Sequence, residues 1–343
     1  MQRIKYLDGW RGCAVLAVLF AHFATSKGIN FGRFGVELFF VLSGRLMAEI
    51  LFIKNIKIDV FFFRRFSRVY PALLVFTTAC FIVQFKSQVG ISAPQYLSAI
   101  TFTANYGQFW WGRNETFDHI WSLCVEEHAY IMLGAMAWAH RRYSINIIPV
   151  LIGICLICIT IGLVQTLSGM DYYSVYWRSD VRGASILIGV IAYLLLHKNG
   201  NPVFQKSWLP LVLGGGSLLL NINVVPDPIK YSFGTIFLAS CLVLLKNSPK
   251  NVLQIMENKL LLRVGVWSYS IYLWQQPFAK IKESPINSII YFIIAISLAM
   301  MSFYLVEQPA RRILNRLVAK RGVSDKALSL SGQGSDRPNK AYS

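Results

Sequence analysis

Apolar residues run along this chain in blocks of about 20 positions, the length an α-helix needs to cross the hydrocarbon core of a bilayer. Ten such blocks occur, at 10–26, 32–52, 70–87, 118–138, 146–167, 181–197, 208–224, 230–246, 263–281 and 286–307. The pattern predicts an all-α fold, a polytopic membrane helix bundle of about ten transmembrane helices. Residues 1–318 are expected to form one membrane domain. The segment 319–343, with Ser324, Ser329, Gly332, Gly334, Ser335 and Pro338, is expected to be a disordered polar tail. Residues 88–117 form the one long loop expected outside the membrane. Its Tyr106, Phe109, Trp110 and Trp111 suit an interfacial aromatic belt or a carbohydrate platform.

Composition agrees with lipid as the solvent. Over 343 residues, 55% are hydrophobic, 15% are charged, and the mean hydropathy is +0.48. The formal net charge of +18 does not indicate nucleic acid, because the basic residues are dispersed between apolar blocks. With a cytoplasmic amino terminus, 23 of the 34 lysines and arginines fall on the inner side and 7 on the outer side. That bias follows the positive-inside rule and places both termini in the cytoplasm. The six cysteines (Cys13, Cys80, Cys124, Cys155, Cys158 and Cys241) all lie within apolar blocks and read as core-filling residues. No metal site is expected.

Ionisable groups inside a span cost about 2.5–3.5 kcal/mol each on insertion scales, so each asks for a partner or a function. In the first block, Arg11 and His22 are eleven residues apart, which returns to the same helix face about 16 Å along the axis. The second block runs back, so Glu37 should lie near the depth of His22. A carboxylate on one imidazole nitrogen fixes the tautomer and leaves the other nitrogen as a general base, the arrangement that acyl transfer to a hydroxyl needs. His22 is therefore the candidate base and Glu37 its candidate partner. The competing reading of His22 is a structural interhelical hydrogen bond. Arg45 and Glu49, four apart, suit a local ion pair. On the fourth block Glu126, Glu127 and His128 suit a proton relay or an ordering network, with at most one glutamate facing a shared cavity.

The run from Phe61 to Pro71 mixes aromatics with Arg64, Arg65 and Arg68 and reads as an interfacial helix entering the third span. It suits lipid headgroups, or a clamp for the phosphates of coenzyme A, since guanidinium forks bind phosphate oxygens bidentately.

Several stretches together resemble the acyltransferase 3 family of bacterial membrane acyltransferases. They are Leu7-Asp8-Gly9-Trp10-Arg11-Gly12 with His22 following, Phe34 through Gly44, Arg64-Arg65 with Arg68 and Pro71, His119 through Glu127, Ser268 through Trp274, and Glu307-Gln308-Pro309. The resemblance covers Tyr6 to about Arg312. It implies that Arg11 and His22 are required for transfer, that Arg65 and Arg68 engage acyl-CoA, and that Glu127 supports the core. Three positions depart from the family pattern: Arg45, His128, and Gln275 where a histidine often stands.

The expected activity is thus transfer of an acyl group, acetyl foremost, from acyl-CoA to a hydroxyl of a carbohydrate or glycolipid acceptor at the bacterial cytoplasmic membrane. The alternative is a proton-coupled transporter or flippase with His22, Glu37 and Glu127 as relay groups.

Overall fold

The computed structural model describes residues 4–24, 28–85, 90–198, 207–281 and 285–317. The polar tail at 319–343 lies outside the described residues. Each of the ten apolar blocks contains helix. In chain order the helices are α1 (Lys5–Phe23), α2 (Phe31–Met47), α3 (Ile58–Phe85), α4 (Ala93–Ile100), α5 (Ala104–Trp111), α6 (Ile120–Tyr143), α7 (Ile147–Leu167) and α8 (Tyr172–Tyr176). They continue as α9 (Ser179–Lys198), α10 (Leu209–Leu220), α11 (Asp227–Ile229), α12 (Thr235–Leu244), α13 (Lys250–Met256), α14 (Lys259–Lys280) and α15 (Pro285–Ser302). The described residues contain no β-strand.

Five helical stretches are long and apolar enough to cross a membrane: Ile58–Gln84, Ile147–Leu167, Ser179–Leu196, Asp227–Asn247 and Ile286–Leu317. The other blocks fall short for physical reasons. Helix α10 has 12 residues. Helices α1, α2, α6 and α14 interrupt their apolar runs with charged or polar groups, Arg11, Glu37, Glu126 and Gln275 among them. Those four helices carry the candidate site.

Helix α2 sits at the centre, packed on α1 at one side and on α9 at the other. Beyond α1 come α14 and then α15; beyond α9 come α7 and α12. In lipid, close van der Waals contact rather than water exclusion holds helices together, and small residues permit it. An added Cβ on Gly44 of α2 would stand 2.1 Å from the Ile186 carbonyl oxygen of α9. One on Gly265 of α14 would stand 1.8 Å from the Asp8 carbonyl oxygen of α1. The Trp10 indole N–H donates to the Leu38 carbonyl at 2.9 Å and ties α1 to α2.

Two expectations need correction. The segment expected as an external loop folds in part into α4 and α5. Ser92 and Gln95 form a reciprocal capping box at the start of α4, with Pro94 in its first turn, a helix start signal that the loop reading passed over. Helix α3 begins at Ile58, twelve residues before the third block, and runs through Pro71 without a break. Arg64, Arg65 and Arg68 therefore lie on the same continuous helix as that span. Elsewhere, π-helical turns at Ala48–Ile53, Lys230–Gly234 and Phe303–Glu307 place Glu49, Lys230 and Glu307 where the helix widens.

The close approach of α2 and α9 gives a direct test. Gly44→Ala should lower the melting temperature of the purified protein, since forcing a methyl into a filled contact costs about 1–3 kcal/mol. Gly153→Ala on α7, where nothing lies within 4 Å of the new Cβ, should leave the melting temperature unchanged or raise it slightly.

Candidate active site

A cavity of about 580 Å³ opens between α1, α2, α3, α6 and α14. Arg11, Arg64, Arg65, Arg68 and Arg311 line it together with a single carboxylate, Glu126. Arg11 pairs with Asp8 at 2.8 Å across one turn of α1. Among the described residues Arg64, Arg68 and Arg311 form no ion pair. Arg64 and Arg311 are exposed, whereas Arg68 is partly buried. Several guanidiniums gathered without matching carboxylates suit a multiply charged anion.

Arg65 does something else. Its Nε donates to Glu127 Oε1 at 2.7 Å and its Nη2 to Glu126 Oε2 at 2.6 Å. Its guanidinium also lies 4.2 Å from the centre of the Tyr130 ring. Glu126 accepts in addition from Ser43 Oγ at 3.0 Å and from Tyr130 Oη at 2.8 Å. Arg65 thus ties α3 to α6, with two of its five N–H donors committed to carboxylates. A guanidinium held by two carboxylates attracts a phosphate less strongly. Glu126 lines the cavity and Glu127 does not, as two adjacent positions about 100° apart on one helix should behave.

The inner end of the cavity includes Phe39, Ser122 and Tyr272. Tyr272 Oη donates to the His119 carbonyl at 2.9 Å and lies 2.7 Å from Ser122 Oγ. One helical turn beyond Tyr272, Gln275 is fully buried and its Oε1 meets Nδ1 of His22. The Gln275 amide nitrogen donates to the Tyr272 carbonyl at 3.3 Å, which leaves the amide oxygen facing the imidazole. An oxygen there accepts, so Nδ1 carries the proton and Nε2 keeps its lone pair. The cavity therefore approaches His22 through one turn of α14, although His22 is not part of its lining.

Glu37 is not the partner of that imidazole. Its carboxylate, 1% exposed, is engaged by Arg182 of α9 and accepts from Thr235 Oγ1 of α12 at 2.8 Å. Gly32 rather than Glu37 stands level with His22, since Gly35 already lies against Ala14 and Val18 of α1, and the Glu37 side chain faces α9 rather than α1. The same buried position on Arg182 was visible as an ionisable group at a span edge. The other departures from the family pattern also have partners: Arg45 pairs with Glu49 at 3.2 Å, and His128 Nδ1 lies 2.7 Å from Ser179 Oγ. Sequence reading left open which of Glu126 and Glu127 faces the cavity, and missed Ser122 and Tyr272 as its walls. It counted Arg311 only among the basic residues after the last block, although that residue closely follows the Glu307-Gln308-Pro309 motif.

This helical architecture and its arginine-lined cavity coincide with a sequence match over nearly the whole chain. The profile of the acyltransferase domain family, the acyltransferase 3 family, matches residues 4–307, and the chain belongs to that family. Among curated relatives, the O-acetyltransferase OatA of Staphylococcus aureus (strain NCTC 8325 / PS 47) is 27% identical over 351 residues, covering 89% of this chain and 57% of the relative. A Staphylococcus aureus (strain COL) protein named provisionally as an O-acetyltransferase is 28% identical over 361 residues, covering 91% of this chain and 58% of the relative. The chain thus spans a little over half the length of these relatives. No solved structure matches it.

The Glu37–Arg182 pair should behave as a buried couple. Glu37→Leu or Arg182→Leu alone leaves one unneutralised charge and should cost about 3–5 kcal/mol. The double variant Glu37→Leu, Arg182→Leu should recover most of that loss. Thermal unfolding of the three variants measures it, and additive losses would mean that the two side chains are not coupled.

Proposed function

We propose that the chain is a bacterial cytoplasmic-membrane O-acyltransferase with about ten spans and both termini in the cytoplasm. It moves an acyl group, acetyl foremost, from acyl-CoA to a hydroxyl of a cell-surface carbohydrate or glycolipid. The observation that carries this reading is the cavity itself. Unpaired arginines stand at one end, and the other end closes against the turn of α14 that holds the His22 imidazole. The names of the O-acetyltransferase relatives support an acetyl group and an oxygen acceptor.

In this reading Arg64, Arg68 and Arg311, with Arg11 deeper, hold the phosphates of acyl-CoA, and its pantetheine arm extends toward Tyr272. Gln275 holds His22 as the Nδ1–H tautomer, so that Nε2 removes the acceptor hydroxyl proton. The acceptor oxygen attacks the thioester carbonyl; a carbon–oxygen bond forms and the carbon–sulfur bond breaks. The sulfur leaves and takes the proton from the imidazolium, which returns the enzyme to its starting state. Gln275 is a positioning residue, since it acts through the ring it orients.

The transporter alternative has less support. A proton relay needs carboxylates able to change protonation, whereas Glu37 and Glu127 are each engaged by a guanidinium.

Membranes carrying the chain should move labelled acetyl from acetyl-CoA onto envelope glycan. His22→Ala should lower that rate by about 10²–10⁴-fold, the usual worth of a general base, while acetyl-CoA binding persists. Near-normal transfer by His22→Ala would reject His22 as the base. Gln275→Leu should lower kcat with little change in the KM for acetyl-CoA.

Arg68→Ala should raise the KM for acetyl-CoA about tenfold or more, the worth of a charge-assisted hydrogen bond. Arg65→Ala should act chiefly on the melting temperature. The reverse assignment, with Arg65 setting donor affinity and Arg68 setting stability, would remove the proposed division between them.

A further inference from the structure

A second cavity, of about 680 Å³, lies at the amino-terminal end of α2, between α7, α8, α9 and the 223–231 segment. Three tyrosines, Tyr172, Tyr176 and Tyr231, share its wall with Arg33, Lys230 and Asp227. The buried hydroxyls of all three tyrosines lack a hydrogen-bond partner of good geometry among the described residues. Native structures seldom leave buried polar atoms unpaired, and a cluster of them around a cavity marks where a ligand's polar groups belong.

The charges sort in the same direction. Arg182 is neutralised by Glu37, and Lys230 Nζ lies 3.3 Å from Asp227. Arg33 has no ion pair among the described residues; its guanidinium lies 4.1 Å from the Tyr172 ring centre and 5.3 Å from that of Tyr176. The cavity thus offers aromatic faces for the C–H surfaces of a sugar ring, for its hydroxyl groups three clustered phenol hydroxyls that reach one another without a well-formed bond, and one cation in excess.

The cavity also lies beside the candidate base. An ideal Cβ on Gly32 would stand 3.4 Å from Asn30 Oδ1 and 3.9 Å from His22 Nε2. No more than the sum of those two distances separates the two polar atoms, and Asn30 is part of the cavity wall. The Asn223 N–H donates to the Gly28 carbonyl at 2.7 Å and fastens the far rim to the connection between α1 and α2.

We propose that this second cavity is the acceptor site and that it takes an anionic saccharide, one carrying a carboxylate or phosphate. The proposal rests on the acyltransferase reading. The donor enters by the arginine-lined cavity, the acceptor by the tyrosine-lined one, and Nε2 of His22 stands toward the second.

The test uses the full chain in phosphatidylcholine nanodiscs, with a hyaluronan tetrasaccharide as the anionic probe and chitotetraose as the neutral one. Binding is followed by intrinsic fluorescence and, separately, acetyl-CoA binding by calorimetry. The hyaluronan probe should bind more tightly than chitotetraose. Arg33→Gln should weaken it about tenfold and leave acetyl-CoA affinity unchanged. The Tyr172→Phe, Tyr231→Phe double variant keeps the rings and should weaken both saccharides. Intact acetyl-CoA binding reports that these variants are folded.

The proposal is overturned if neither saccharide binds, or if Arg33→Gln and the double tyrosine variant bind hyaluronan as the wild type does. It is also overturned if phosphatidylglycerol in the nanodisc abolishes saccharide binding, which would mark a lipid headgroup as the occupant. Absence of acetyl-CoA binding by the wild type would instead sink the acyltransferase reading, with the saccharide measurements still readable.

Discussion

A guanidinium or carboxylate placed among membrane helices has to be neutralised, hydrated or liganded, and the arrangement of this chain follows from how it meets that demand. Among the arginines neutralised within the fold, two join separate helices. Arg65 is held by Glu126 and Glu127, and Arg182 by Glu37. Desolvation consumes much of the attraction in such pairs, so their chief effect is to set which helix faces which. Arg65 fixes α3 against α6, and Arg182 fixes α9 against α2. The guanidiniums left without carboxylates gather at cavities, Arg64, Arg68 and Arg311 in one and Arg33 in the other. Paired and unpaired arginines are therefore separated by where they stand, although nothing in their residue type distinguishes them.

That separation explains what the sequence could and could not convey. Block length and hydropathy located all ten helical segments, because a bilayer sets a minimum length that leaves a strong imprint on composition. Axial depth was legible only in part: α1 and α2 do pack side by side, but Gly32 rather than Glu37 stands level with His22. Direction around the helix axis was not, because it depends on which neighbour a face meets. Sequence reading offered His22 alone as the companion of that carboxylate, and only the packing of α2 between α1 and α9 assigns Glu37 to Arg182. Gln275 was hard to read for another reason. A neutral amide gives no charge penalty to flag it, and its departure from the family's histidine looked like a loss.

With an amide in place of a carboxylate, the His22 ring is oriented and its tautomer is set, but a positive charge on the ring gains no full counter-ion there. The imidazolium formed during transfer is accordingly less stabilised than in a histidine–carboxylate pair. Under the acyltransferase reading, rapid return of the proton to the departing sulfur becomes correspondingly important, and Gln275 contributes geometry more than electrostatics.

The two cavities lie at opposite ends of α2 and are separated by very little protein. Phe40 lines the first, Arg182 lines the second, and the Arg182 guanidinium lies 5.9 Å from the Phe40 ring centre. The fully buried Glu37–Arg182 pair stands in that wall. Under the acyltransferase reading with the second cavity as acceptor site, an acyl group passed at His22 would travel from one cavity's substrate to the other's. Such a wall has to be thin, so that thioester and hydroxyl can meet, yet closed, so that water neither leaks nor hydrolyses the thioester. A buried ion pair flanked by aromatic rings suits both conditions: it holds α2 and α9 together across the wall, and each charge neutralises the other. The cost of burying Glu37 and Arg182, hard to justify by stability alone, has in that barrier a reason to exist.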